Sequence, residues 1–269
     1  VKASQALGTF REPLNRTMAK IVLPHVTTIC ARGADTEKNL LGLGLDNVER
    51  SSDLAFTMET SADAAVRAAA RAGDGAGLVA VLPSSVVQAY CDGHDIDYVG
   101  VMAGFIDRIT ASGRHRVMIL AHSARPGAPA GKMNDLPVCG LINAAVRNSG
   151  SCELVHKNLP PDELRALIGA AELCVTSRFH AMVSSLATET PVMVVGWSHK
   201  YQEVLDAFGV DGCAIDYSAL TEDELTARFD DMVNREGVLT KAIAHALPEV
   251  QAESRVSYAA VAAAAGIRE

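Results

Sequence analysis

Aromatic side chains are scarce, with Phe, Trp and Tyr making up 4% of the sequence. Core volume must then come from Ala, Val, Leu and Ile, which suits helices packed on parallel strands. Positive charge is also short: 24 Lys and Arg stand against 32 Asp and Glu, a formal net charge of −8. Bulk attraction to nucleic acid is thereby excluded, because it needs a basic surface. A small anion held by a few focused cations is still allowed. No apolar run is long and charge-free enough to span a membrane, and the Ala-rich stretch 258–265 reads as part of a terminal helix. There is no CxxC pair, so the six cysteines read as buried free thiols of a reducing cytoplasm. No Cys or His cluster has zinc spacing, and no metal is expected. The absence of GxxxxGK[ST], and of GxGxxG after a strand, argues against the common phosphate and dinucleotide loops.

What is present is a core-forming α/β pattern. Hydrophobic residues make up 49% of the chain and charged ones 21%, which excludes disorder as the default. Strand-like runs fall at 3–7, 26–30, 78–82, 116–121, 152–155, 173–176, 192–195 and 213–215. Several are continuously apolar, as strands buried on both faces require. Amphipathic stretches of crossover length separate them, which predicts a doubly wound parallel sheet. Helix starts are marked by Pro160-Pro161-Asp162-Glu163 and by Thr221 with Glu224, a capping box flanked by the staple pair Leu220 and Leu225.

The glycine-rich break after the Ala-rich helix near 61–71 suggests a division of the chain. Residues 1–57 read as part of one Rossmann-like domain and 58–77 as a linker helix and loop. Residues 78–236 read as a second Rossmann-like domain, and 237–269 as a helical tail. The chain opens inside a strand-like run, so the first domain is expected to lack its front end here. The Gly/Pro-rich loop 125–131 follows a strand, where long loops are commonly functional.

In open α/β sheets ligands bind beyond the carboxyl ends of the strands. Ser177 and Arg178 fall at such an end, between strand 173–176 and the helix that follows. Backbone N–H groups and the helix dipole favour an anion there, and Arg178 adds a fork suited to carboxylate or phosphate. His180, one turn in, can donate a hydrogen bond or move a proton. Lys200 follows the next strand and can neutralise a phosphate. His122 sits at another strand end. Asp135 reads first as a plain helix N-cap. Ser84 and Ser85 either bond a ligand hydroxyl or cap the next element. Arg32 follows strand 26–30 with the same logic as Arg178. Two arginines facing each other across an interdomain cleft would clamp a doubly charged anion.

In order along the chain, these residues resemble the polysaccharide pyruvyl transferases. Ser4-Gln5-Ala6-Leu7-Gly8, Arg32 with Thr36, Ser52-Asp53-Leu54-Ala55-Phe56, Asn134-Asp135, Ser177-Arg178-Phe179-His180-Ala181, Pro191 and Lys200 are similar to that family's segments. Thr9, Gly33, Thr36 and Ser52 depart from its usual residues.

The resemblance implies two Rossmann-like domains of GT-B type, the first incomplete, with acceptor contacts largely in its absent part. It implies transfer of a pyruvyl group from phosphoenolpyruvate to two hydroxyls of a cell-surface saccharide, lipid-linked or free. The product is a cyclic ketal with release of phosphate, and no metal or cofactor is needed. Arg32, Arg178 and Lys200 would balance the donor's charge, and Ser177, Asn134, Ser84 and Ser85 would contact substrate. His180 would be the general acid or a phosphate ligand, and Asp135 or His122 the base. The setting would be the cytoplasm or the inner face of its membrane. Two alternatives remain at this point: a GT-B-like glycosyltransferase or epimerase using a nucleotide sugar, and a non-catalytic binding protein of the same fold.

Overall fold

The computed structural model describes the whole chain apart from residues 74, 126, 129–130, 132, 156–157, 197–198, 211 and 268–269. Parts of the loop 125–131 and of the strand-end segment 196–200 therefore lie outside the described residues. The chain divides into two compact units: Val1–Met58 with Ala246–Glu269, and Glu59–His245.

In the first unit, β1 (Lys2–Gln5), β2 (Ile29–Arg32) and β3 (Val48–Ser51) form a parallel sheet in that order. Helices α1 (Pro13–Val22) and α2 (Ala34–Leu41) connect them. Ile29, Ala31, Leu40 and Leu45 are the centre of a small apolar cluster. Two sequence expectations shift here. The expected strand 26–30 begins three residues later, because residues 23–25 form a 3-10 turn. The Asn47 side chain holds that turn by donating to the Leu23 and Val26 carbonyls at 3.0 and 2.5 Å. The expected strand 3–7 ends early, at Gln5, and Ser4 within it has φ 46°, a left-handed conformation costly for a residue with a Cβ, where the register against β2 shifts. β3 was not expected, since Glu49 and Arg50 give it no apolar run; it is an edge strand.

In the second unit, six parallel strands run in the order β6-β5-β4-β7-β8-β9. They are β4 (Gly77–Leu82), β5 (His115–Leu120), β6 (Cys152–Val155), β7 (Leu173–Thr176), β8 (Val192–Val195) and β9 (Ala214–Ile215). β7 and β8 are buried throughout, as their apolar runs predict. The connecting helices are α4 (Ser85–Asp92), α5 (Tyr98–Thr110), α6 (Leu136–Ala145), α7 (Pro161–Gly169), α8 (Phe179–Ala187) and α9 (His199–Ala207).

The Ala-rich helix α3 (Ala62–Ala72), expected as a linker, lies within this second unit. Arg67 pairs with Glu163 of α7 at 2.5 Å, and the Ser61 hydroxyl donates to Asp162 at 2.8 Å. The expected tail is likewise no separate piece. One helix, α10 (Glu222–Ala264), starts at the Thr221 cap and buries Leu225, Phe229 and Met232. Its residues from Ala246 onward belong to the first unit. There Ser254 donates to the Asp53 carbonyl at 2.9 Å and Ser257 bonds Ser51 at 2.8 Å. Among the described residues no helix is long and apolar enough to cross a membrane.

Candidate active site

From β4 the chain winds outward to β5 and β6, then returns to the other side of β4 as β7. The order reverses between β4 and β7, which pair with Leu82 beside Thr176. Such a reversal opens a crevice beyond the strand ends and is where this class of sheet binds ligands. Ser84 and Ser85 leave β4 at that point, and Ser177 and Arg178 leave β7.

One carboxylate ties these ends together. Asp135 is fully buried. Its Oδ1 accepts from the Ser85 backbone N–H at 2.9 Å, the Ser85 hydroxyl at 3.0 Å and Arg178 Nη2. Its Oδ2 accepts from the Ser123 N–H at 3.0 Å and Arg178 Nε at 2.9 Å. Three strand ends, those of β4, β5 and β7, are thus pinned to one group. Charge-assisted bonds from a guanidinium fork fix direction as well as position. Asp135 makes no side-chain capping bond to α6, so the plain N-cap reading does not hold. Two of the backbone N–H groups expected to face an anion are spent. Ser177 N–H bonds the Leu82 carbonyl at 3.2 Å and Arg178 N–H bonds Thr176 Oγ1 at 3.0 Å.

A pocket of about 550 Å³ opens over these strand ends. Ser84, His122, Ser177, Arg178, His180 and Lys200 all line it. The structure thus brings these six sequence candidates to one pocket. Ser85, Asn134 and Asp135 do not line it; each is buried and acts from within the protein. Asn134 spends its amide on the Ala128 carbonyl at 2.9 Å, and its side-chain oxygen accepts from Leu136 N–H at 3.3 Å. Arg32 belongs to the first unit, where its Nη1 bonds Asp53 Oδ2 at 2.6 Å.

Burial pushes the His122 imidazole down to about 4, helped by the nearby His180 and Arg178; Asp135 opposes the shift. His122 is therefore neutral near pH 7. Its effect on stability has a definite sign. An ordinary histidine titrates near 6.5, so below that pH the unfolded chain takes up a proton that the folded protein refuses. The contribution is fully present above pH 6.5 and is lost as the pH falls towards 4. It amounts to about 3 kcal/mol. Urea unfolding of the native protein and of His122→Asn at pH 7 and pH 4.5 checks this. The variant should lose markedly less stability between the two; equal losses would refute it.

A model of the polysaccharide pyruvyl transferases matches residues 4–199. The chain belongs to that family. Solved structures show the fold it shares with sugar-nucleotide enzymes. Staphylococcus aureus MnaA with UDP is 11% identical at a TM-score of 0.67, over 99% of this chain and 69% of that one. The UDP-GlcNAc 2-epimerase of Neisseria meningitidis bound to UDP-GlcNAc is 11% identical at 0.60, over 97% and 68%. A UDP-forming trehalose-phosphate synthase of Burkholderia vietnamiensis is 12% identical at 0.56, over 97% and 67%. The α/β fold with Rossmann-like units is thus of the GT-B kind.

Within the family match, two departures gain a physical reason. Gly33, after Arg32, has φ 83°, which glycine adopts without strain as the backbone turns into α2. Ser52 donates to Glu253 at 2.6 Å, so its hydroxyl holds the final helix against β3. Tyr98 and Tyr201 went unread in the sequence, as did Tyr217, which also lines the pocket. Tyr98 of α5 is buried beneath the pocket, accepts from Ser84 N–H at 3.3 Å and lies 3.5 Å from the Ser177 hydroxyl. Tyr201 donates to the Ser177 carbonyl at 3.3 Å. Tyr98 and Tyr201 each hold an ordinary apolar-face position on a helix, and only the tertiary fold sets the hydroxyl under the strand ends.

Proposed function

We propose that this transferase moves a pyruvyl group from phosphoenolpyruvate to two hydroxyls of a saccharide, forming a cyclic ketal and releasing phosphate. The observation that carries the reading is the Arg178 guanidinium, fixed by buried Asp135 at the switch point and sharing one pocket with His180 and Lys200. Phosphoenolpyruvate has a carboxylate and a phosphate. Arg178 and Lys200 balance that charge in a partly desolvated pocket, where such interactions strengthen.

The chemistry divides among the remaining groups. Protonation of the donor's methylene carbon makes its neighbouring carbon electrophilic. The two acceptor hydroxyls add to that carbon, and its bond to the phosphate oxygen breaks. Of the two hydroxyl protons, one replaces the proton given to the methyl carbon and the other leaves with phosphate. His180 is exposed at the pocket, and we assign it the proton donated to carbon. His122, neutral near pH 7, serves as a hydrogen-bond partner. Asp135 is a positioning residue: as a base it would have to give up bonds to Ser85, Ser123 and Arg178.

Phosphate release on mixing the protein with phosphoenolpyruvate and a panel of saccharides tests the reading. His180→Ala should lower the rate by about 10²–10⁴-fold with the far-UV spectrum unchanged. Turnover at the native rate in that variant would remove His180 from the mechanism. The nucleotide sugars named in the related structures provide the competing arm. Conversion of a UDP-sugar, with no phosphate released from phosphoenolpyruvate, would favour a glycosyltransferase or epimerase.

A further inference from the structure

The pocket is larger than one small anion requires. Its volume of about 550 Å³ lies within the roughly 300–1,000 Å³ of pockets that take drug-sized ligands. The lining has two characters. His122, Arg178 and His180 make part of it basic and polar. Tyr201 and Tyr217 add an aromatic wall.

Both tyrosines are held in place. The Tyr201 hydroxyl donates to the Ser177 carbonyl at 3.3 Å. Its ring lies so close over Gly196 that a Cβ there would come within 3.1 Å of it. Tyr217 meets Tyr90 edge-on, with centroids 4.6 Å apart at 60°. Tyr90 in turn stacks on His94 at 4.0 Å and 17°. Lys200 Nζ stands 5.4 Å from the Tyr201 ring and 5.4 Å from the Phe179 ring.

We infer that this aromatic wall holds a pyranose ring of the saccharide acceptor, stacked by its C–H face on Tyr217 and Tyr201. The inference rests on the pyruvyl-transfer reading. A pyranose has an apolar face and a rim of hydroxyls, and it needs both an aromatic wall and polar neighbours. Two of its hydroxyls must reach the same donor carbon, so the ring must touch the donor. A single pocket with basic groups and an aromatic wall meets that demand. A nucleoside diphosphate would instead place its phosphates on Arg178 and compete with phosphoenolpyruvate.

The test is saturation-transfer NMR with a panel of methyl pyranosides at millimolar concentration, on protein loaded with phosphoenolpyruvate. Calorimetry of phosphoenolpyruvate alone is run alongside. Tyr217→Ala should weaken the bound pyranoside about tenfold, the worth of one stacking face, with donor affinity within about twofold. Tyr217→Phe should bind as the native protein does, which separates loss of the ring from loss of the fold. Undiminished pyranoside binding in Tyr217→Ala and in Tyr201→Ala, with donor binding intact, overturns the inference and leaves the donor reading standing. So does absence of pyranoside binding to the loaded native protein. No donor binding in the native protein overturns both. Uridine diphosphate that binds through Tyr217 and displaces phosphoenolpyruvate overturns the inference and assigns the aromatic wall to a nucleoside.

Discussion

Asp135→Ala is expected to lower the unfolding free energy by about 3–5 kcal/mol, the cost of removing one partner from a buried ion pair. Asp135 is fully buried, whereas the Arg178 side chain keeps 17% of its surface exposed. Removal of the acid strands the Ser85 N–H and the Ser123 N–H inside the protein, while the Ser85 hydroxyl keeps the Gly131 carbonyl at 2.5 Å. Each stranded donor loses its bond without regaining water. Asp135→Asn should be nearly as harmful, because both carboxylate oxygens accept from donors. Whichever side the amide NH₂ takes, donor meets donor. Denaturant unfolding at constant slope is the check. A loss below about 1 kcal/mol in both variants would mean that the carboxylate does not hold the three strand ends together.

Arg178→Ala should cost the fold comparably, because it leaves the fully buried Asp135 carboxylate without its cation, and should cost the activity far more. Asp135 would keep its bonds from Ser85 and Ser123. The pocket, however, would lose a fixed cation beside the reacting anion. Loss of a preorganised charge contact of this kind costs about 10²–10³-fold in kcat/KM. Arg178→Lys should not restore it. The fork bonds Asp135 through both Nε and Nη2, and a single ammonium cannot reproduce that direction. Steady-state phosphate release across the three proteins decides the point. Recovery of native kcat/KM by lysine would reduce Arg178 to a point charge.

These two residues also mark how far the sequence could be read. Arg178 and His180 were legible because a buried apolar strand and an amphipathic helix meet at them, and both signals are local. Asp135 was legible as a helix start, yet its function was not. Its partner Arg178 lies 43 residues away in the chain, and nothing local encodes that bond. Ser85 and Asn134 misled in the same way: short polar residues after a strand serve a ligand or the loop itself equally well. The second unit's strands came within a residue or so of their expected places because they are apolar on both faces. The first unit's strands sit on a small core, so turn chemistry moved them, and the polar edge strand β3 carried no pattern to detect. Tyr98 and Tyr201 lay beyond reach because a hydroxyl on a buried helix face has no sequence signature of its own.

The central claim is that Arg178, held by Asp135, binds phosphoenolpyruvate. Calorimetric titration of the native protein and of Arg178→Ala with phosphoenolpyruvate, and separately with uridine diphosphate, tests it most directly. The native protein should bind phosphoenolpyruvate, and the variant about a hundredfold more weakly or not at all. Equal affinity in the two proteins, or binding of uridine diphosphate alone, would contradict the account.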